Sequence, residues 1–305
     1  MKYRRSLVVA LALLTSVRIS SAALDTAKIE EIIDLKGKWN EGEKVFKVNA
    51  PRNDVKVSVD GWQMPAFMGL TSWTAFSEGM KAPAMVMGDL VLFADEVNPA
   101  MSAALDAGLS VTALHNHFFF DEPKVYFMHI SGEGSAETLA GGVRKVYDAV
   151  KAVRGPAANP GKSFGQRRLE KGPLPEKSAI TPAPLNEIFA MQGEAKDGMF
   201  KVVIGRKVKM PCGCEVGKEM GVNTWAAFAG SDDNALVDGD FAMTEDELQP
   251  VLKSLRGAGI YIVAIHQHMT HEEPRMMFLH YWGRGKAGEL ARAVKEALAV
   301  TKHEQ

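Results

Sequence analysis

Leu114-His115-Asn116-His117, running through Phe118 to Pro123 and on from Lys124 to His129, decides how this chain folds, because it occurs twice. The second copy is Ile265-His266-Gln267-His268, followed by Met269 to Pro274 and by Arg275 to His280. Of the 8 histidines in the chain, only His303 lies outside these two stretches. Leu109 to Leu114 and Ile260 to Ile265 are mostly apolar or β-branched, and Asp-Glu-Pro or Glu-Glu-Pro is a turn signal, so each copy reads as a hairpin. Residues two apart on a strand share a face, which pairs His115 with His117 and His266 with His268. Folding about Glu122 sets His129 opposite His115 and Phe127 opposite His117. Folding about Glu273 sets His280 opposite His266 and Phe278 opposite His268. Opposed Cβ atoms lie about 4.5–5.5 Å apart, near enough for three imidazoles to close on one ion at about 2.0–2.1 Å. A slip of one residue would send the third histidine to the other face.

His115, His117 and His129 are therefore the expected ligands of one metal ion, and His266, His268 and His280 those of a second. Zinc is the expected ion and copper the alternative. A lone His-x-His more often packs or hydrogen-bonds; a third histidine at the same place in both copies turns the reading towards metal. His271 has the opposite parity from His266 and His268, aligns with Phe120, and reads as a turn residue.

Working outward, the whole chain is an internal duplication with a constant offset of 151 (266 less 115). The offset relates Gly88-Asp89 to Gly239-Asp240, Asp95-Glu96 to Asp246-Glu247, Gly108 to Gly259 and Glu122-Pro123 to Glu273-Pro274. Ser72-Trp73 matches Thr224-Trp225 with one further residue inserted. Each copy reads as a short helix, several strands, a helix, the histidine hairpin and a closing amphipathic helix. In the first copy the closing stripe is Leu139, Val143, Val146 and Val150; in the second it is Leu290, Val294, Ala297 and Leu298. Hairpins followed by helices predict an α+β fold of two similar domains, each with a mainly antiparallel sheet and flanking helices. The expected boundaries are a first repeat domain at 23–153, a Pro/Gly/Lys/Arg-rich linker at 154–184, and a second repeat domain at 185–305.

Ahead of the first copy, Lys2, Arg4 and Arg5 precede an apolar run from Leu7 to Leu14, and Ser20-Ser21-Ala22 offers small residues for cleavage. Residues 1–22 thus read as a signal peptide, and the mature protein is expected to be exported, periplasmic or secreted. No later run is long and apolar enough to span a bilayer. Lys plus Arg is 36 against 37 for Asp plus Glu, a balance that gives no electrostatic footprint for nucleic acid. The 2 cysteines, Cys212 and Cys214, sit in Pro-Cys-Gly-Cys. They exclude a disulfide framework, a bridge across one residue would be strained, and their functional reading is thiolate ligation of a soft metal.

Several carboxylates stand beside these motifs. Glu122 and Glu273 lie about 16 Å along the strand from the His-x-His pair and read as turn residues rather than bases. Asp89 and Asp240 are candidates for a further ligand or an orienting partner of an imidazole, set against a turn-shaping role, which is the reading preferred here. Glu96 and Glu247 read as helix caps, Thr244-x-x-Glu247 fitting a capping box. Trp73 and Trp225 read as core or domain-interface residues.

Pro51-Arg52-Asn53-Asp54, Met87-Gly88-Asp89-Leu90-Val91-Leu92, Asp95-Glu96-Val97-Asn98-Pro99 and Thr112-Ala113-Leu114-His115-Asn116-His117 together resemble the LppY/LpqO family, described as exported lipoproteins and without an assigned activity. The chain departs from a lipoprotein in having no cysteine after its signal. A looser likeness, confined to the His-x-His with a later third histidine, is to acetolactate decarboxylase, a zinc enzyme built of two related halves. Two functions follow as expectations. One is an exported metal-dependent hydrolase or lyase, in which the ion activates water or polarises a carbonyl. The other is a non-catalytic module that binds a cell-envelope or small-molecule ligand, or stores metal.

Overall fold

Alternating burial along the strands divides the protein into a helix-covered face and an open face. The computed structural model describes residues 24–155, 159–161 and 172–301, so the expected signal peptide and His303 lie outside the described residues. Numbering only the strands of the main sheet, the first copy contributes β1 (Gly37–Asn40), β2 (Val45–Pro51), β3 (Thr71–Glu78), β4 (Ala84–Phe93), β5 (Ser110–His115) and β6 (Val125–Gly134). The second contributes β7 (Glu194–Lys196), β8 (Met199–Gly205), β9 (Asn223–Gly230), β10 (Ala235–Thr244), β11 (Tyr261–His266) and β12 (Met276–Gly285). Helices α1 (Thr26–Ile33), α2 (Val97–Asp106) and α3 (Ala136–Arg154) belong to the first copy; α4 (Pro182–Phe189), α5 (Leu248–Gly257) and α6 (Ala287–Ala299) belong to the second.

The mixed α/β architecture with a large antiparallel sheet agrees with the sequence reading. Where a sheet in each of two domains was expected, the copies share one sheet of 12 strands, ordered β1-β2-β3-β4-β6-β5-β11-β12-β10-β9-β8-β7. The order is the same read from either end once six is added to or taken from each label, so a pseudo-two-fold lies between β5 and β11. Those strands meet antiparallel at Leu114 and Ile265. All six described α-helices pack on one face, over a core that includes Val86, Leu90, Ile130, Val237, Phe241 and Tyr281. Of the expected linker, residues 172–181 run beside the β9–β10 turn, where Ala179 donates to Gly230 O at 2.7 Å and Ile180 is buried.

One irregularity aims the histidines. Val111 and Leu114 are both buried on the helix side, although alternation would put them on opposite faces. A bulge between Val111 and Ala113 resolves the conflict, so that His115 leaves on the open face. The same bulge between Ile262 and Ala264 turns Ile265 inward and His266 outward. Each bulge is held from the other copy. The buried Asn98 amide of α2 donates to Ile262 O at 3.2 Å and accepts from Ile262 N at 2.8 Å. At the matching place, Gln249 of α5 accepts from Val111 N at 2.9 Å and donates to Val111 O at 2.8 Å. The copies therefore fix each other's histidine strands.

Candidate metal centres on the open face

The hairpin register differs from the expected one by two residues. His115 faces Phe127 and Ala113 faces His129; in the second copy His266 faces Phe278 and Ala264 faces His280. The connection is wider than a turn about Glu122, because Asp121-Glu122 pairs with Ser58-Val59 instead of closing the hairpin. A shift of two keeps every side chain on its face, so the histidines still gather on the open side. Glu122 and Glu273 stay in the connections, Glu273 exchanging backbone hydrogen bonds with Lys209 at 2.8 and 2.9 Å. Asp121 and Glu272 tie down the returning strands, accepting from Val125 N at 2.7 Å and Met276 N at 2.9 Å. His271 is an exposed turn residue with φ 65, matching Phe120 at φ 57.

In the second copy His266 and His268 approach Nε2 to Nε2 at 3.1 Å, and His268 Nε2 lies 3.3 Å from Asp240 Oδ2. Asp240, His266 and His268 are the one group of three or more among the described residues whose candidate ligand atoms all lie within 4.8 Å of one another. Two ligands about 2.0–2.1 Å from a tetrahedral ion stand about 3.3 Å apart, so these separations are those of ligands sharing one ion. The His268 ring lies on Phe278, centroids 3.6 Å apart, and its Nδ1 reaches Gly221 O at 3.1 Å. A proton on Nδ1 for that bond leaves the Nε2 lone pair facing the cluster. His280 stacks on His266 at 4.7 Å and turns Nδ1 to Gly239 O at 3.3 Å. It lines the cluster without joining the tight trio.

Asp240 corrects the sequence reading. Instead of shaping a turn at a strand head, it lies within the ten-residue β10, between Trp225 and His280 on neighbouring strands. It is 4% exposed, and its Oδ1 is buried with no hydrogen-bond partner. Burial pushes the Asp240 carboxyl up against the opposing pull of His280 and His268. Burial, with His280 and His268 nearby, holds His266 down to about 4. The imidazole is thus neutral near neutral pH, the form that ligates. Strand parity was the available signal, since Asp240 and Ala242 alternate with the inward Phe241 and Met243.

The first copy is a looser version. His115 and His117 meet Nε2 to Nε2 at 3.2 Å, His117 lies on Phe127 at 3.4 Å, and His129 stacks on His115 at 5.2 Å. Asp89, also mid-strand, stands 3.9 Å from His129 Nε2 instead of closing on the His115–His117 pair. Burial first, then the neighbouring histidines, lowers His115; burial also lowers His117, with Asp89 opposing.

Trp73 and Trp225 are half-buried on the open face rather than in the core, with Lys47 and Lys201 ammonium groups 4.3 and 4.5 Å from their ring centres. Beside the second cluster a cavity of about 330 Å³ is lined by Met199, Lys201, Ala227, Leu236, Asp238 and Trp282. Asp238 and Trp282 face each other one same-face step from the Asp240–His280 pair. Glu96 is not a simple cap. Fully buried, it accepts from Arg52 at 2.7 and 2.9 Å and from Arg154 at 2.8 Å. Glu247 does close the expected capping box with Thr244, and it also pairs with Arg206.

Residues 27–149 and 183–300 each match a family model described as Domain of Unknown Function (DUF1259). The chain belongs to that family, whose domain it carries twice. No curated protein matches it. Among solved structures it is similar to the trimeric bacterial microcompartment shell protein PduB, with 12% identity over 87% of this chain and 89% of that one, at a TM-score of 0.23. It is also similar to the double-ringed trimeric shell protein MSM0271 from the RMM microcompartment, with 15% identity over 71% and 80% and a TM-score of 0.18. Likeness at that level carries no argument about fold or function.

Proposed function

We propose that this is an exported metal-binding protein in which Asp240, His266 and His268 hold one zinc ion, with His280 beside them. The observation that carries the reading is the trio of ligand atoms within 4.8 Å of one another, with an unpartnered carboxylate oxygen buried at its edge. Two imidazoles and a carboxylate are a zinc donor set that leaves a coordination position open, as in catalytic sites. An ion there lowers the pKa of a bound water or polarises a carbonyl. The adjoining cavity beside Trp282 is the place for a small-molecule substrate, and its mostly apolar lining suits a molecule carrying an apolar group. His115, His117 and His129 form a second, weaker site.

Export is supported by the basic and apolar residues ahead of Ala23, together with the resemblance to exported lipoproteins. No described helix is long and apolar enough to cross a membrane. Metal analysis of the purified full chain tests the reading. Zinc is expected to copurify, and His268→Ala and Asp240→Asn are expected to lose the tighter-held equivalent while His115→Ala keeps it. A folded protein whose zinc content ignores all three substitutions sinks the proposal.

A further inference from the structure

The cysteines are not part of the histidine cluster, yet the fold gives them a setting of their own. Residues 206–222 form a flap over the open face of the second copy, where Val208 and Val222 pack on Ala242, Met276 and Phe278. At its tip Val208-Lys209 pairs with Glu215-Val216, and the chain turns through Met210 to Cys214. Met210 N donates to Cys214 O at 2.9 Å and Gly213 N to Met210 O at 2.8 Å. Gly213, at φ 81, makes this turn possible at no steric cost. The paired backbone bonds between Lys209 and Glu273 fasten the tip to the histidine hairpin. Between them lies a cavity of about 360 Å³ lined by Met210, Cys212, His271, Glu273 and Lys209, among others.

Both thiols are free and exposed, and they hydrogen-bond to each other, which lowers Cys212 and raises Cys214. The aligned flap of the first copy has no cysteine, and Phe120 stands where the second copy has His271. We propose that Cys212 and Cys214 bind one Cu(I) ion, with the Met210 thioether and His271 imidazole available in the cavity that Cys212 lines to complete its coordination.

Thiolate and thioether donors select Cu(I) over harder ions, and two sulfurs one residue apart suffice for a two-coordinate ion. Each ligating thiol gives its proton to solvent, and the copper stays Cu(I) throughout. Two thiolates around a monovalent ion leave one negative charge, beside a cavity wall on which Lys209 and Glu273 carry one charge of each sign. His271 follows His268 by three residues, so the two Cα atoms are at most about 11 Å apart. The soft site therefore stands beside the harder Asp240–His266–His268 cluster without sharing a ligand, and it does not depend on that cluster binding metal.

The test is an anaerobic titration of the reduced full chain with Cu(I) in competition with a chromophoric Cu(I) chelator, with circular dichroism confirming the fold of each variant. The wild-type protein is expected to hold one equivalent that Cys212→Ser/Cys214→Ser loses and His268→Ala retains; His271→Ala and Met210→Leu are expected to weaken it. A wild type that yields all its copper to the chelator overturns the proposal. So does an equivalent that survives the double cysteine variant or disappears with His268→Ala.

Discussion

Asn98→Ala tests whether the two copies aim each other's histidines. The Asn98 side chain is 3% exposed and makes two hydrogen bonds, both to the backbone of Ile262 on the bulged β11. Truncation leaves the buried N–H and C=O of Ile262 without partners at about 1–3 kcal/mol each, a total of roughly 2–6 kcal/mol. The loss should appear as a lower urea midpoint, followed by tryptophan fluorescence, with an unchanged m-value. Because the bulge turns His266 outward, the same variant should hold zinc more weakly in the Asp240 cluster while the His115 side is spared. Gln249→Ala should produce the mirror result, with a smaller stability loss because its bonds are only partly buried. A midpoint shift worth less than about 0.5 kcal/mol, the range of ordinary surface substitutions, would mean that Asn98 does not hold the bulge. So would equal effects of either variant on both histidine groups.

Other outcomes follow from the packing. Gly239→Ala places a Cβ 2.2 Å from the buried Tyr281 ring, so it should destabilise by about 1–3 kcal/mol in the same urea assay and disturb the neighbouring Asp240. Glu96→Ala strips the shared partner from buried Arg52 and Arg154, and chemical denaturation should record a loss of about 3–5 kcal/mol. Burial raises the Asp54 carboxyl, but the hydrogen bonds and charge of Arg52 outweigh it and hold the group below its ordinary value. A depressed carboxylate contributes stability above its unfolded pKa and loses it as pH falls through the folded one. The stability difference between wild type and Asp54→Asn should therefore be full at neutral pH and shrink in acid; a difference that grows on acidification contradicts the assignment.

Much of the fold was legible because the duplication states the pattern twice. The run of several strands before a helix in each copy, the helix after Glu96 and the closing stripe of Leu139, Val143 and Val146 all follow from the pattern, and all are found. Face, too, was legible: His115, His129, His266 and His280 share the open side as parity requires. Register was not, because the strand formed by Asp121-Glu122 pairs with a segment some sixty residues earlier and widens the connection. Nor was the bulge, since nothing in Val111-Thr112-Ala113 marks it. Its cause is an amide 138 residues away in one copy and 164 in the other. Asp240 escaped for a related reason: a Gly-Asp pair reads locally as a turn, and only the ladder with Trp225 and His280 shows it inside a sheet.

Anomalous diffraction at the zinc edge, from crystals of the zinc-loaded full chain, decides whether one ion belongs between Asp240, His266 and His268. A peak is expected about 2.0–2.1 Å from the Nε2 atoms of both histidines and from a carboxylate oxygen of Asp240. A folded protein with no peak there, or with its zinc elsewhere, would contradict that placement.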